Sequence, residues 1–139
     1  MLNETVLQFL AQRLSIPLSM FKEPGPDQAT LDRLLEIALR VPDHGRLEPW
    51  RLIVYRPEHA SAIGEKLAAR AVEMRGALSD ADLKREKGRL NRAPVAIGVV
   101  STVDESSNIP DWEQFLSAGA VCMTLVNAAT AAGFAANWI

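Results

Sequence analysis

Two short stretches of the chain hold groups suited to binding an anionic or a flat ligand. The first, Arg13-Leu14-Ser15, stands where the predicted first helix gives way to a loop. An arginine presents a planar fork of donors that matches a phosphate, and a serine adds a hydroxyl. An exposed arginine near a helix carboxyl end, favoured there by the helix dipole, is the alternative interpretation. Spacing alone favours that alternative.

The second stretch is a loop bounded by Pro42 and Pro49, with Arg40 before it, His44 inside it and Trp50 after it. A loop held between a helix and a strand can present its backbone and an imidazole to a flat heterocycle. Taken singly, a histidine in such a loop is typical of a surface residue, and a tryptophan opening a strand is typical of a core residue.

The other polar groups favour structural roles. His59 is expected to be solvated at a helix start, Cys122 to be an inert small hydrophobe in an apolar helix, and Asp111 to Gln114 to be a charged first turn. The sequence has no phosphate-loop, nucleophile-elbow, zinc-protease or dinucleotide-binding motif, and two histidines and one cysteine offer no metal spacing. A bound cofactor would therefore have to carry any reaction.

Composition sets the class of protein. The 139 residues have the length of a single domain, 48% are hydrophobic, and the formal charge of −2 is mixed rather than blocked. This excludes a disordered chain and a basic nucleic-acid-binding surface. The start lacks a signal peptide, and apolar runs such as Val95 to Val100 are too short to span a bilayer. We therefore expect a soluble, cytoplasmic protein without nucleic-acid or membrane partners.

Hydrophobic periodicity and breakers predict the order of elements. A first helix, capped by Asn3, ends near Arg13. The pattern then predicts helices over Asp27 to Arg40, Pro57 to Ala77, Leu78 to Asn91 and Asp111 to Ala132. It predicts strands over Trp50 to Tyr55 and Ala93 to Ser101, and Phe134 to Ile139 is expected to be the beginning of a further strand. This order predicts one layered α/β or α+β domain over residues 1–139.

The last predicted helix is apolar most of the way round, which is typical of a helix buried in a core or against a second subunit. This predicts a dimer. The chain stops at Asn137-Trp138-Ile139, inside an apolar segment, whereas a strand needs a neighbour and a turn after it. We therefore expect a continuation beyond Ile139.

Eight segments resemble the nitroreductase family, within it the small NAD(P)H nitroreductases, and they follow in order over nearly the whole chain. They are Arg13-Leu14-Ser15, Glu23-Pro24-Gly25-Pro26, Arg40-Val41-Pro42-Asp43-His44, Glu48-Pro49-Trp50-Arg51, Arg92-Ala93-Pro94, Trp112-Glu113-Gln114, Ser117-Ala118-Gly119 and Gly133-Phe134-Ala135-Ala136-Asn137-Trp138. Each segment is weakly specific alone, and their common order and spacing is the signal.

The resemblance implies an α+β nitroreductase-like sandwich, a central sheet flanked by helices, that dimerises with FMN in clefts between the subunits. It implies that Arg13, Leu14 and Ser15 lie at the ribityl-phosphate end of FMN and that Arg40 and His44 approach the flavin. Trp138 and Ile139 would begin a later FMN-contacting segment. A region associated with NAD(P) in the family corresponds to Ala128, Ala129, Thr130, Ala131, Ala132 and Gly133, where helix packing is an equal explanation.

Two departures from the family pattern stand out. Leu14 replaces the second arginine of the usual Arg-Arg-Ser, which removes one phosphate cation; a charge-assisted contact is worth roughly 1.5–3 kcal/mol. The family's segment after Ile139 is also absent, so the expected sandwich is truncated at its carboxyl end.

The resemblance predicts transfer of two electrons from NAD(P)H through FMN to a small acceptor such as a nitroaromatic or a quinone. The protein would hold FMN and leave one face of it open. The alternative is a flavin-free binding or dimerisation module built on the same scaffold. A remnant that merely dimerises through its long helix is a third possibility.

Overall fold

A computed structural model describes residues 2–139 as a helix-rich α+β chain. Its elements, in chain order, are α1 (Glu4–Gln12), α2 (Gln28–Ala38), β1 (Trp50–Tyr55), α3 (Pro57–Arg75), α4 (Asp80–Lys87), β2 (Ala96–Ser101) and α5 (Asp111–Ala131), with short 3-10 turns at Leu18–Met20 and His44–Arg46. The five helices and the first two strands lie where the sequence predicts them, with ends that differ by up to four residues.

Three helices begin at polar side-chain caps, of which Asn3 was predicted from the sequence. Asn3 accepts a hydrogen bond from the backbone N–H of Val6, as predicted, and Asp27 accepts one from Thr30. Ser79 caps α4 in the same way. The bond from Thr30 lowers the pKa of Asp27. Because this pKa is depressed in the folded state, the cap stabilises the protein above the ordinary aspartate pKa, and that stabilisation is lost as the pH falls through the lowered value.

Strands β1 and β2 pair in a two-stranded sheet. The N–H of Thr102, just after β2, donates to the carbonyl of Pro49, just before β1, at 3.0 Å. Gly98, in the middle of β2, lies against Ile53 and Tyr55, towards the end of β1. The two strands are therefore antiparallel. β2 starts three residues later than predicted because Pro94 lacks the N–H that a ladder needs.

The chain divides into two compact units. Unit 1 comprises residues 1–17, 26–52 and 99–139, and unit 2 comprises residues 18–25 and 53–98. In unit 1, α2 packs on α5, and the two helices share an apolar core formed by Leu31, Leu34, Ala38, Ala118, Val121, Val126 and Ala128. The buried residues of α2 follow a helical period of three to four, which explains why the sequence pattern located this helix.

In unit 2, α3 packs on α4, and the buried residues of α3 are all small: Ala60, Gly64, Ala68 and Ala71. The side chain of Glu86 on α4 is buried and forms ion pairs with Arg75 and Arg89, each at 3.2 Å. The paired arginines offset the cost of burying that carboxylate.

Gly64 marks the closest approach of these two helices. A Cβ placed on Gly64 would overlap the backbone carbonyl oxygen of Lys87. Elsewhere in a helix interior, Gly→Ala stabilises by about 1 kcal/mol. Here we expect Gly64→Ala to lower the free energy of unfolding by roughly 1–3 kcal/mol, because backbone atoms must move. Urea unfolding checks this, with exposed Ser61→Ala on α3 as the control. A stabilised Gly64→Ala variant would show that the helices do not approach so closely.

The predicted strand at the carboxyl end is wrong for residues 134–139, which form no regular element in the structure. The segment bonds to the chain after α1: the N–H of Ile16 donates to the carbonyl of Ala136, and the side-chain amide of Asn137 donates to the Ile16 carbonyl. Both bonds are made to one residue of the chain after α1, Ile16. A single pairing does not make a ladder, so residues 134–139 form no strand.

Among residues 2–139, one helix, α5, is long and apolar enough to cross a membrane by length and composition alone. The short apolar runs in the sequence did not indicate this helix, because its mean hydropathy is taken over 18 consecutive residues that include polar ones. A core helix of a globular protein passes the same test. Packing against α2 and the burial of Gln114 and Val121 are typical of such a core helix.

Candidate functional site

The Arg13-Leu14-Ser15 segment follows α1 directly. Arg13 is half-buried, and its Nη1 atom is shielded from solvent without a hydrogen-bond partner among residues 2–139. Leu14 and Ser15 are exposed. A buried guanidinium nitrogen without an acceptor is costly, because its desolvation is not compensated. The position therefore suits an anionic acceptor supplied from outside these residues.

The carboxyl end of the chain lies beside this segment. The two hydrogen bonds between Ile16 and residues 136–137, at 3.0 and 2.8 Å, join parts of the chain that are about 120 residues apart in sequence. Trp138 follows immediately, and its ring approaches Gly119 on α5, where a Cβ would stand 3.9 Å from Cη2. Trp138 and Ile139 remain largely exposed. The structure thus brings the first and the last predicted site segments together.

The proline-bounded loop, Pro42 to Pro49, has an unusual backbone. Gly45 has φ of 79°, and two residues with side chains, Arg46 and Glu48, also have positive φ, at 53° and 47°. Such conformations are uncommon for residues other than glycine and persist where the surroundings hold them. Asp43 accepts the Glu48 N–H at 2.8 Å and closes the loop.

Two side chains of α5 tie this loop to the helix. Nδ1 of His44 lies 2.7 Å from Oε2 of Glu113, and the hydroxyl of Ser117 donates to the carbonyl of Pro42 at 3.0 Å. The His44 side chain is 66% exposed, against 30% for Glu113. The loop is therefore anchored to α5 at Nδ1 of His44 and at the carbonyl oxygen of Pro42, while most of the imidazole faces solvent. Arg40, just before the loop, is exposed.

Gln114, next to Glu113, is the most thoroughly bonded buried polar side chain in unit 1. It is 1% exposed. Its Oε1 accepts the Asp104 N–H at 2.8 Å, and its Nε2 donates to the carbonyls of Asp104 and Ile109 at 3.2 and 2.9 Å. These bonds fix residues 104–109 against the start of α5. Bonds from Ser106 lower the pKa of the neighbouring Asp104 carboxyl.

The stretch Ala128 to Gly133 forms the last turn and the end of α5. Ala128 packs in the core, the hydroxyl of Thr130 donates to the Val126 carbonyl within the helix, and residues 131–133 are exposed. Along the axis of α5, Ala128 lies about 13 Å beyond Gly119, the residue that the ring of Trp138 approaches. This stretch therefore lies at the other end of α5 from the cluster of Glu113, Ser117 and Gly119.

Glu113, Gln114, Ser117 and Asn137 are the residues that sequence reasoning left without a role. Gln114 stands four and seven residues before the buried Ala118 and Val121. A polar residue on an apolar stripe was the available signal for its burial. The partners of Glu113, Ser117 and Asn137 lie 69 to 121 residues away, so their roles had no local signal.

The two other candidate side chains behave as expected. His59 is exposed at the start of α3. Cys122 is half-buried on α5, and burial raises the pKa of its thiol. Because the thiolate is the nucleophilic form, this environment keeps Cys122 unreactive at neutral pH.

Residues 10–139 match the model of a family described as the nitroreductase family. The chain belongs to the nitroreductase family. The match covers every segment that the resemblance used, from Arg13 to Trp138. The α+β nitroreductase fold expected from the sequence is also confirmed by structure comparison.

Three nitroreductase relatives illustrate the similarity. A Haemophilus influenzae protein named "Putative NAD(P)H nitroreductase" is 39% identical over 84% of this chain and 62% of its own length. A nitroreductase-like protein from Bacillus cereus has a TM-score of 0.67 at 23% identity, over 92% of this chain and 65% of its own. A Desulfitobacterium hafniense nitroreductase with bound FMN has a TM-score of 0.63 at 27% identity, over 96% and 68%. The chain thus spans under two thirds of the first two relatives.

Proposed function

We propose that this protein is an FMN-dependent NAD(P)H oxidoreductase that passes two electrons to a small acceptor such as a nitroaromatic or a quinone. The observation that carries this proposal is the shielded Nη1 of Arg13, which has no acceptor within residues 2–139 and is followed by the exposed Ser15. A phosphate supplies that acceptor. The FMN bound in the Desulfitobacterium relative and the name of the Haemophilus relative support the choice of ligand and reductant.

The residues present fit the phosphate end of a flavin nucleotide. Arg13 offers a preorganised guanidinium nitrogen whose desolvation cost has already been met in folding, so binding an anion there gains a charge-assisted hydrogen bond at little further cost. Ser15 offers a hydroxyl donor two residues further on. Leu14 is 70% exposed and supplies no charge, so Arg13 stands as the cation of this segment.

The proline-bounded loop fits the role of orienting a flat ring. His44 is held by Glu113 and is otherwise exposed, and the loop backbone is fixed by Asp43 and Ser117. A rigid loop presents its donors and acceptors without an ordering cost on binding. Bound FMN would supply hydride acceptance and donation, so these side chains need only hold it, orient it and leave a face accessible. We assign Arg40, Trp138 and Ile139 to the surroundings of the same ligand, and residues 128–133 to the nicotinamide cofactor, on the family resemblance.

We further propose that the protein is a homodimer. Two helices of unit 1 leave large apolar side chains uncovered: α1 buries no residue, and α5 exposes Trp112, Phe115 and Leu116 by more than half. Apolar surface of this extent on a helix is typical of an interface with another chain or segment. The unpaired Cys122 suits the cytoplasm, where we place the protein as one domain without membrane or nucleic-acid partners.

An absorbance scan followed by a steady-state assay tests the function. The purified protein, as isolated or after addition of FMN, should show flavin absorbance and should oxidise NAD(P)H with ping-pong kinetics when a quinone or nitroaromatic is present. A colourless protein that gives no spectral shift with added FMN would contradict the proposal. That result would favour the alternative, a flavin-free binding module, to which the uncharged Leu14 also points.

A further inference from the structure

The contact between His44 and Glu113 determines which nitrogen of the imidazole is available to a ligand. Nδ1 of His44 lies 2.7 Å from a carboxylate oxygen of Glu113. A carboxylate can only accept a hydrogen bond, so a neutral imidazole at this distance must carry its proton on Nδ1. Its second nitrogen, Nε2, is then left with a lone pair.

The carboxylate is itself held in place. Glu113 lies in the first turn of the 21-residue helix α5, where negative charge is favoured, and it is only 30% exposed. Its neighbours Gln114 and Ser117 fix the helix start and the loop backbone through their own hydrogen bonds. The position of the Glu113 carboxylate is therefore set by the fold, and the exposed imidazole of His44 is held by this fixed acceptor.

From this geometry we infer that Glu113 is a positioning residue: it holds His44 as the Nδ1–H tautomer and so presents Nε2 as a hydrogen-bond acceptor to an N–H or O–H group of the bound flavin nucleotide. The inference rests on the proposed function for the identity of the ligand. The carboxylate acts through His44 and touches no ligand atom. The tautomer is a property of the free protein, so it can be measured without FMN.

Long-range ¹H–¹⁵N correlation spectra of histidine-labelled protein, at a pH of about 8 where imidazoles are neutral, test the tautomer. We expect His44 to be protonated on Nδ1, whereas the exposed His59 serves as the reference for an imidazole in solvent. Glu113→Met should shift His44 to the tautomer mixture of the exposed His59, because Nδ1–H then has no carboxylate to donate to. Asp111→Asn is the matched control, because it removes the same charge from the same helix turn. It should leave His44 unchanged.

Titration of the same variants with FMN tests the consequence. Glu113→Met should raise the Kd for FMN about threefold to tenfold. In a His44→Ala background the same substitution should have no further effect, because Glu113 acts through His44.

Three results would overturn the inference: an Nε2–H or doubly protonated His44 in the parent protein, an unchanged tautomer in Glu113→Met, or an equal loss of FMN affinity with and without His44. A parent protein that shows the Nδ1–H tautomer but never binds FMN would support the assignment of Glu113 and contradict the proposed function instead.

Discussion

Arg13→Met should raise the Kd for FMN at least tenfold, while the free energy of unfolding of the FMN-free protein stays the same or increases. Both effects follow from one atom, the shielded Nη1 that has no acceptor within residues 2–139. Removing its bond to a phosphate costs about 1.5–3 kcal/mol of binding. Without the ligand that nitrogen is an unsatisfied buried donor, and an apolar chain of similar length removes the penalty. Fluorescence titration with FMN and urea unfolding measure the two quantities.

Arg33→Met is the matched control for this experiment. Arg33 is an exposed arginine of α2, in the same unit, and its replacement removes the same charge. It should change neither FMN affinity nor stability beyond about 0.5 kcal/mol. Equal weakening of FMN binding by both variants would mean that net charge matters rather than a contact from Arg13. A destabilised FMN-free Arg13→Met protein would mean that Arg13 serves the fold.

Gln114→Leu should lower the free energy of unfolding by about 2–4 kcal/mol. Gln114 is fully buried and satisfies one N–H and two carbonyls of the segment between β2 and α5. Leucine fills the space but leaves those backbone groups without partners, and each buried unsatisfied group costs about 1–3 kcal/mol before relaxation. Urea unfolding at neutral pH measures the loss.

Two further variants make this prediction specific. Gln8→Leu, at an exposed position of α1, should stay within about 0.5 kcal/mol of the parent protein. Gln114→Glu keeps the acceptor for Asp104 but turns the donor into a second acceptor facing two carbonyls. It should be less stable than Gln114→Leu at neutral pH and recover as the pH falls, because protonation restores a donor. Wild-type stability of Gln114→Leu would show that water satisfies these backbone groups.

The consequence of losing Gln114 extends to the proposed site. Glu113 and Ser117, which anchor the proline-bounded loop, lie on the same first two turns of α5 that Gln114 fixes. A loosened helix start would release His44 together with residues 104–109. We therefore expect Gln114→Leu to weaken FMN binding even though Gln114 contacts no ligand in our proposal.

The sequence by itself determined the five helices, the first two strands and the family. Asn3 and Asp27 cap helices because each needs only a backbone N–H three residues further along the chain. β1 coincides with its predicted range because its β-branched and aromatic residues lie between the proline-bounded loop and Pro57. The ordered motifs from Arg13 to Trp138 identified the nitroreductase family for the same reason: each is a short, local pattern. The placement of Arg13 and Ser15 at the phosphate end of FMN remains a prediction.

Only the tertiary structure decided which distant groups meet. It paired His44 with Glu113 and Ile16 with Asn137, and it buried Gln114, which local sequence had indicated as part of a charged, solvated turn. It also left residues 134–139 outside any strand, because a strand depends on a neighbour that its own residues do not specify. Periodicity and capping report interactions within a few residues, whereas these contacts join chain segments that only the packing of α2, α5 and their loops brings within hydrogen-bonding distance.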